Sequence, residues 1–121
     1  MLPMVASESF QDRSFRFSTR IIRFYRVLSG SQSTPRSLAE QMLRAGTAIG
    51  ANLEEAKSAH SRRDLAAKYV IGLREARECH YWLRLIVMDR PELMETAHEL
   101  LDECNQLIAI LTVAVKKLRT T

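Results

Sequence analysis

Residues 41–65 read QMLRAGTAIGANLEEAKSAHSRRDL. Together with Leu38 just upstream, the apolar positions Met42, Ala45, Ile49, Leu53 and Ala56 recur every three or four residues. That spacing keeps them on one side of an α-helix. A second row at Gln41, Arg44, Ala48, Asn52 and Glu55 follows the same period beside the first. Solvated helix faces usually mix Lys with Glu, so Gln, Arg, Asn and Glu in register next to a core stripe predict a partly buried polar network. Arg44 and Glu55 are eleven residues apart, about three turns, and cannot pair along one helix. Each needs a partner on a neighbouring helix, a neighbouring subunit or water. Gly46 and Gly50, one turn apart, form a ridge of small residues on which another helix can approach closely.

Outward from this helix the chain offers three more and no strand alternation. Residues 1–11 show no clear period and read as a flexible N-terminal segment, leaving 12–121 as one domain. Helix one runs from about Asp12 to Ser29 on Phe17, Ile21, Phe24 and Leu28. Gly30 to Thr34 is a loop. Thr34 is the expected cap of helix two, with Pro35 at the first position, where a missing N–H costs nothing. Helix two reaches about Lys57. After Ser58-Ala-His60, the stretch Ser61-Arg-Arg-Asp64 approximates a capping box and opens helix three. Helix three carries Leu65, Tyr69, Leu73, Ala76, Leu83 and Val87, and ends near Met88, ahead of Asp89-Arg-Pro91. Helix four, to about Leu118, carries Leu93, Ala97, Leu100, Cys104, Leu107, Ile108, Leu111, Val115 and Leu118. Helices of similar length joined by short loops predict an all-α, up-down antiparallel four-helix bundle.

A chain of 121 residues with 46% hydrophobic and 26% charged residues suits a single folded domain rather than a disordered segment. Cys79 and Cys104 read as two small buried thiols of a reducing compartment. No apolar run is long enough for a membrane span. The opening MLPMVASESF lacks the basic start and apolar core of a signal peptide. The expected location is therefore the cytoplasm.

Helix three departs from simple amphipathicity. Ile71, Tyr81, Trp82 and Leu85 lie away from its main stripe, and one core cannot bury both sides. Exposed aromatics are one reading; a subunit interface, where aromatic residues are enriched, is the other. Here the chain resembles a known family. Gln41, Arg44, Ala45, Ile49, Asn52, Leu53 and Glu55, followed by Ser61, Asp64 and Leu65, fit the pattern of the four-helix bundle proteins encoded in 23S ribosomal RNA intervening sequences. The stretch GLREARECHYWLRLI resembles the same family's third helix at Glu75, Ala76, Glu78, Tyr81, Trp82 and Leu83, with Arg74 where Lys is common. Many members read N-I-A-E-G where this chain has Asn52-Leu-Glu-Glu55-Ala56, so the helix is expected to run on past Glu55. The resemblance implies a ring-shaped homopentamer. Through a related group that accompanies the reverse transcriptase of diversity-generating retroelements, it also implies association with nucleic acid.

The net charge of +4 is unevenly placed, because residues 13–36 hold six Arg and no acid. Arg13, Arg16, Arg20, Arg23 and Arg26 fall within an arc of about 140° on helix one. Arginine suits bidentate phosphate contact. Three readings stay open for this face: a solubilising surface or pairing with the acids of helix four (Glu92, Glu95, Glu99, Asp102, Glu103), an RNA or DNA contact, or a membrane-lying helix. The third is weakened because the core needs Phe17, Ile21 and Phe24.

Chemistry is poorly supplied. A di-iron bundle needs Glu-x-x-His on two helices, and only Glu95-Thr-Ala-His98 occurs. Cys79 and His80 diverge by about 100° as neighbours on a helix. No phosphate loop or nucleophile elbow is present. The expectation is a non-enzymatic oligomeric binding module without metal or cofactor, associating with RNA or DNA through helix one. The alternative is a structural bundle whose partner is another polypeptide.

Overall fold

Ser9 starts the first helix: its hydroxyl accepts the Asp12 N–H at 3.0 Å, satisfying one of the donors that a helix start leaves open. The structure, a computed structural model, describes residues 8–30 and 34–120. Helix α1 spans Phe10–Ser29, α2 Arg36–Ala56, α3 Arg62–Asp89 and α4 Met94–Arg119, with a 3₁₀ turn at Pro91–Leu93 before α4. No strand occurs among the described residues. Helix α1 begins at Phe10, two residues ahead of the expected Asp12, so residues 10 and 11 of the N-terminal segment are helical. The Phe10 ring meets Tyr69 edge-on at 6.4 Å and anchors this end. The rest of that segment, residues 1–7, lies outside the described residues, as does 31–33 of the expected loop.

Two other helix starts differ from one another. Ser61 caps α3 as expected, accepting the Asp64 N–H at 3.0 Å, while Asp64 accepts the His60 N–H at 3.1 Å. Thr34 does not cap α2. It is buried, and its hydroxyl accepts from Arg90 at 2.9 Å, so the side chain serves the α3–α4 turn. Pro35 holds the cap position instead, and its carbonyl accepts from the Leu38 and Ala39 N–H groups. Helix α2 runs past Glu55 to Ala56, within one residue of the expected end, with Lys57 and Ser58 in a turn.

The helices are antiparallel. Gly46 faces Ile21 and Gly50 faces Ser14 across α1–α2, Arg44 reaches Glu75 and Glu78 across α2–α3, and Cys104 reaches Ala76 across α3–α4. Packing is extensive along α1–α2, α2–α3 and α3–α4 and thinnest along α1–α4, leaving α1 and α3 on a diagonal. The small-residue ridge of α2 does admit a close neighbour, namely α1, whose Ser18 and Ile21 sit against Gly50 and Gly46.

The core follows the apolar stripes. Phe17, Ile21, Phe24 and Leu28 pack with Met42, Ile49, Leu53, Leu83, Leu107 and Leu111, all buried. Each such side chain contributes about 1.5–3 kcal/mol of hydrophobic stabilisation. Cys79 and Ile86 are also fully buried, so the buried side of α3 is broader than the spacing of its larger residues indicates.

Candidate functional site

On α3, Ile71, Glu75, Glu78, Trp82 and Leu85 recur at three- and four-residue steps and so share one stripe. The stripe lies beside the polar row of α2. The two Nη atoms of Arg44 divide between the acids. Nη1 donates to both Glu75 oxygens at 3.3 and 3.4 Å, and Nη2 donates to Glu78. Gln41 accepts from Arg44 Nε at 3.5 Å. The hydrogen bond with Glu75 raises the Arg44 pKa above its usual value, outweighing desolvation.

The predicted network is therefore smaller than its sequence row. Asn52 is half-buried and donates to the Ala48 carbonyl of its own helix at 2.8 Å. Glu55 is exposed and joins no ion pair among the described residues. A helical carbonyl one turn back satisfies Asn52, and Arg44, about three turns away from Glu55, finds its partners in Glu75 and Glu78. Glu75 and Glu78 are the network members that sequence reasoning missed. Their shared stripe with Ile71 and Trp82 was the available signal.

The four expected interface residues are split. Ile71 and Tyr81 are exposed, whereas Leu85 and Trp82 are half-buried, with Trp82 packed against the core. Trp82 Nε1 is buried without a hydrogen-bond partner among the described residues. Tyr81 lies about 100° from Trp82 around the helix, meeting it edge-on at 5.2 Å. Ile71, Trp82 and Leu85 thus flank a charge-paired centre at Arg44–Glu75–Glu78, while Tyr81 turns toward the next face.

The arginines of α1 meet different fates. Arg13 is clamped by Glu103, through Nε at 3.0 Å and Nη2 at 2.8 Å, and also donates to Gln106 at 2.9 Å. The Glu103 bond raises the Arg13 pKa. Arg20 pairs with Glu99 at 3.2 Å and Arg16 with Glu8 at 2.6 Å. Arg23 and Arg26 are exposed and form no ion pair among the described residues. Arg23 lines a shallow groove with Arg20, Phe24, Val27, Thr96 and Leu100. Arg13 and Arg20 thus stitch α1 to α4 where apolar packing is thinnest, which removes them from the expected free face.

Among the described residues no three His, Cys, Asp or Glu side chains group in a way that could hold a metal ion. His98 pairs with Asp102 at 3.4 Å. Cys79 and Cys104 are free and buried. A side-chain hydrogen bond with Cys104, with burial, pushes the Cys79 thiol well above its usual pKa.

Residues 9–113, which include every residue of this face, match the sequence profile of the 23S rRNA-intervening sequence proteins. The chain belongs to that family. Among solved structures, a protein of unknown function from the S23 ribosomal protein family of Bacteroides thetaiotaomicron is similar. It shares 33% identity and a TM-score of 0.83 over 89% of this chain and 99% of the other. No protein of curated function matches. No helix among the described residues is long and apolar enough to cross a membrane.

Proposed function

We propose that this member of the 23S rRNA-intervening sequence protein family is a non-enzymatic module that assembles through the α2–α3 face. One observation carries this: apolar Ile71, Trp82 and Leu85 share a stripe with two acids that are both engaged by Arg44. Interface centres are depleted in unpaired charge and enriched in aromatic residues and Arg. A self-copy is the occupant, and five-fold closure is the geometry that the family resemblance implies. The assembled module contacts RNA or DNA through Arg16, Arg23 and Arg26 of α1, the exposed members of that face. The ion pairs of Arg13 and Arg20 support, for those two residues, the alternative reading of the face as pairing with the acids of helix four.

Sedimentation of the parent, Trp82→Ala and Arg44→Glu variants tests the assembly. Trp82→Ala removes an aromatic anchor of the kind that dominates interfaces, and Arg44→Glu places three acids together. Both should lower the assembled mass while keeping helical circular dichroism. Unchanged mass in both variants would remove the α2–α3 face as the interface. Gel shift with RNA across salt tests the α1 contact, because phosphate binding must weaken as salt rises.

A further inference from the structure

The charges of α3 are sorted by side. At 100° per residue, Asp64, Glu75, Glu78 and Asp89 fall in an arc of about 60°, and Glu75 and Glu78 there meet Arg44. Arg63, Arg74, Arg77 and Arg84 occupy a separate arc of about 80°, centred about 110° away. Tyr81 and Met88 lie in the same arc. Residues 62–89 hold six basic and four acidic side chains, so a sum along the chain hides this separation.

All four arginines are exposed. None has a carboxylate within ion-pair distance among the described residues. Among the described residues no acid of α4 pairs with these arginines. Met94 and Leu101 of α4 line the apolar hollow beside Arg84 and Met88, and Arg119 closes a groove with Arg62 and Arg63. Glu99 and Glu103 of α4 are instead engaged by α1. The guanidinium of Arg84 lies over the Tyr81 ring, 5.8 Å from its centroid. Trp82 braces that ring edge-on, and 47% of Tyr81 stays accessible.

We propose that the outer face of α3, formed by Arg74, Arg77 and Arg84 around Tyr81, binds single-stranded nucleic acid. Arg74 to Arg84 covers about 15 Å of helix axis, so the three guanidinium groups can follow a phosphate backbone. Arginine forks contact phosphate bidentately. An exposed ring offers a stacking platform that any unpaired base can use and that a duplex, with its base faces covered, cannot. The site is diagonal to α1 and does not depend on the α1 contact.

Fluorescence anisotropy of a labelled oligouridine with the full chain at several salt concentrations tests it. The variant Arg74→Gln/Arg77→Gln/Arg84→Gln should lose at least about tenfold in affinity, with the logarithmic salt slope shallower by about 0.7 for each contact removed. It should do so in the presence of Arg16→Gln/Arg23→Gln/Arg26→Gln as well as alone. Tyr81→Leu should lose about fivefold or more, and Tyr81→Phe should bind like the parent. Circular dichroism and melting confirm that each variant folds. Parental affinity in the folded α3 variant would overturn the proposal, and so would a loss confined to the α1 variant. Tighter binding of duplex than of single strand would overturn it too. So would a parent that binds anionic lipid vesicles but no RNA, or no nucleic acid at low salt.

Discussion

Adding one methyl group to Gly46 should destabilise the bundle, while adding the same group to Gly72 should stabilise it. A Cβ at position 46 would lie 2.9 Å from both Ile21 Cγ1 and Cγ2 and 3.2 Å from Cys79 Sγ. Ile21 is fully buried and stiff at χ1 because it is β-branched, so rotation exchanges one clashing carbon for another. Helix propensity favours Ala by about 1 kcal/mol, but overpacking a filled core costs about 1–3 kcal/mol. The net expectation for Gly46→Ala is a loss of about 1 kcal/mol. A Cβ at position 72 would meet Asn52 and Leu111 at 3.9 Å, ordinary contact distance. Gly72→Ala should therefore keep the full propensity gain of about 1 kcal/mol. Urea unfolding of both variants, at one protein concentration because assembly shifts apparent stability, should separate them by about 2 kcal/mol. A Gly46→Ala variant as stable as the parent, or a destabilised Gly72→Ala, would refute the packing of α1 on α2 and of α3 on its neighbours.

Ser61→Ala should cost about 1 kcal/mol by freeing the Asp64 N–H, seen as a lower urea midpoint; an unchanged midpoint would remove the cap from the energetics. His80 is half-buried, and burial, with Arg84 nearby, lowers its pKa below the usual 6.5. The unfolded chain then binds the proton more tightly, so this residue's share of stability is lost as pH falls below 6.5 and through the lower folded value. The difference in urea midpoint between the parent and His80→Gln should therefore shift against the parent on acidification. A difference that does not vary with pH would contradict this.

Local and helical-period signals were legible in the sequence. Ser61 caps as its Ser-x-x-Asp spacing indicates, and Ser9-x-x-Asp12 carries the same signal at the start of α1. The stripes Phe17–Leu28 and Leu38–Ala56 fell largely on the core side. Contacts between helices were not legible, because they depend on which residues the crossings bring level. Thr34 has the chemistry of a cap, yet Arg90, 56 residues away, takes its hydroxyl. Arg13 and Arg20 belong to a cluster of six uncompensated arginines along the chain, but their neutralising acids come from α4. Glu75 and Glu78 became partners of Arg44 only once α2 and α3 were placed side by side. The arginine arc of α3 was readable on a helical wheel. Along the chain it is masked because the four acids of α3, about 110° away around the helix, offset most of its six basic side chains.

Light scattering of the full chain at micromolar concentration tests assembly through the α2–α3 face most directly. The expected result is a single species several times the 13.9 kDa protomer, five-fold if the ring closes as proposed, which Trp82→Ala shifts toward the protomer. A monodisperse 13.9 kDa particle would contradict it.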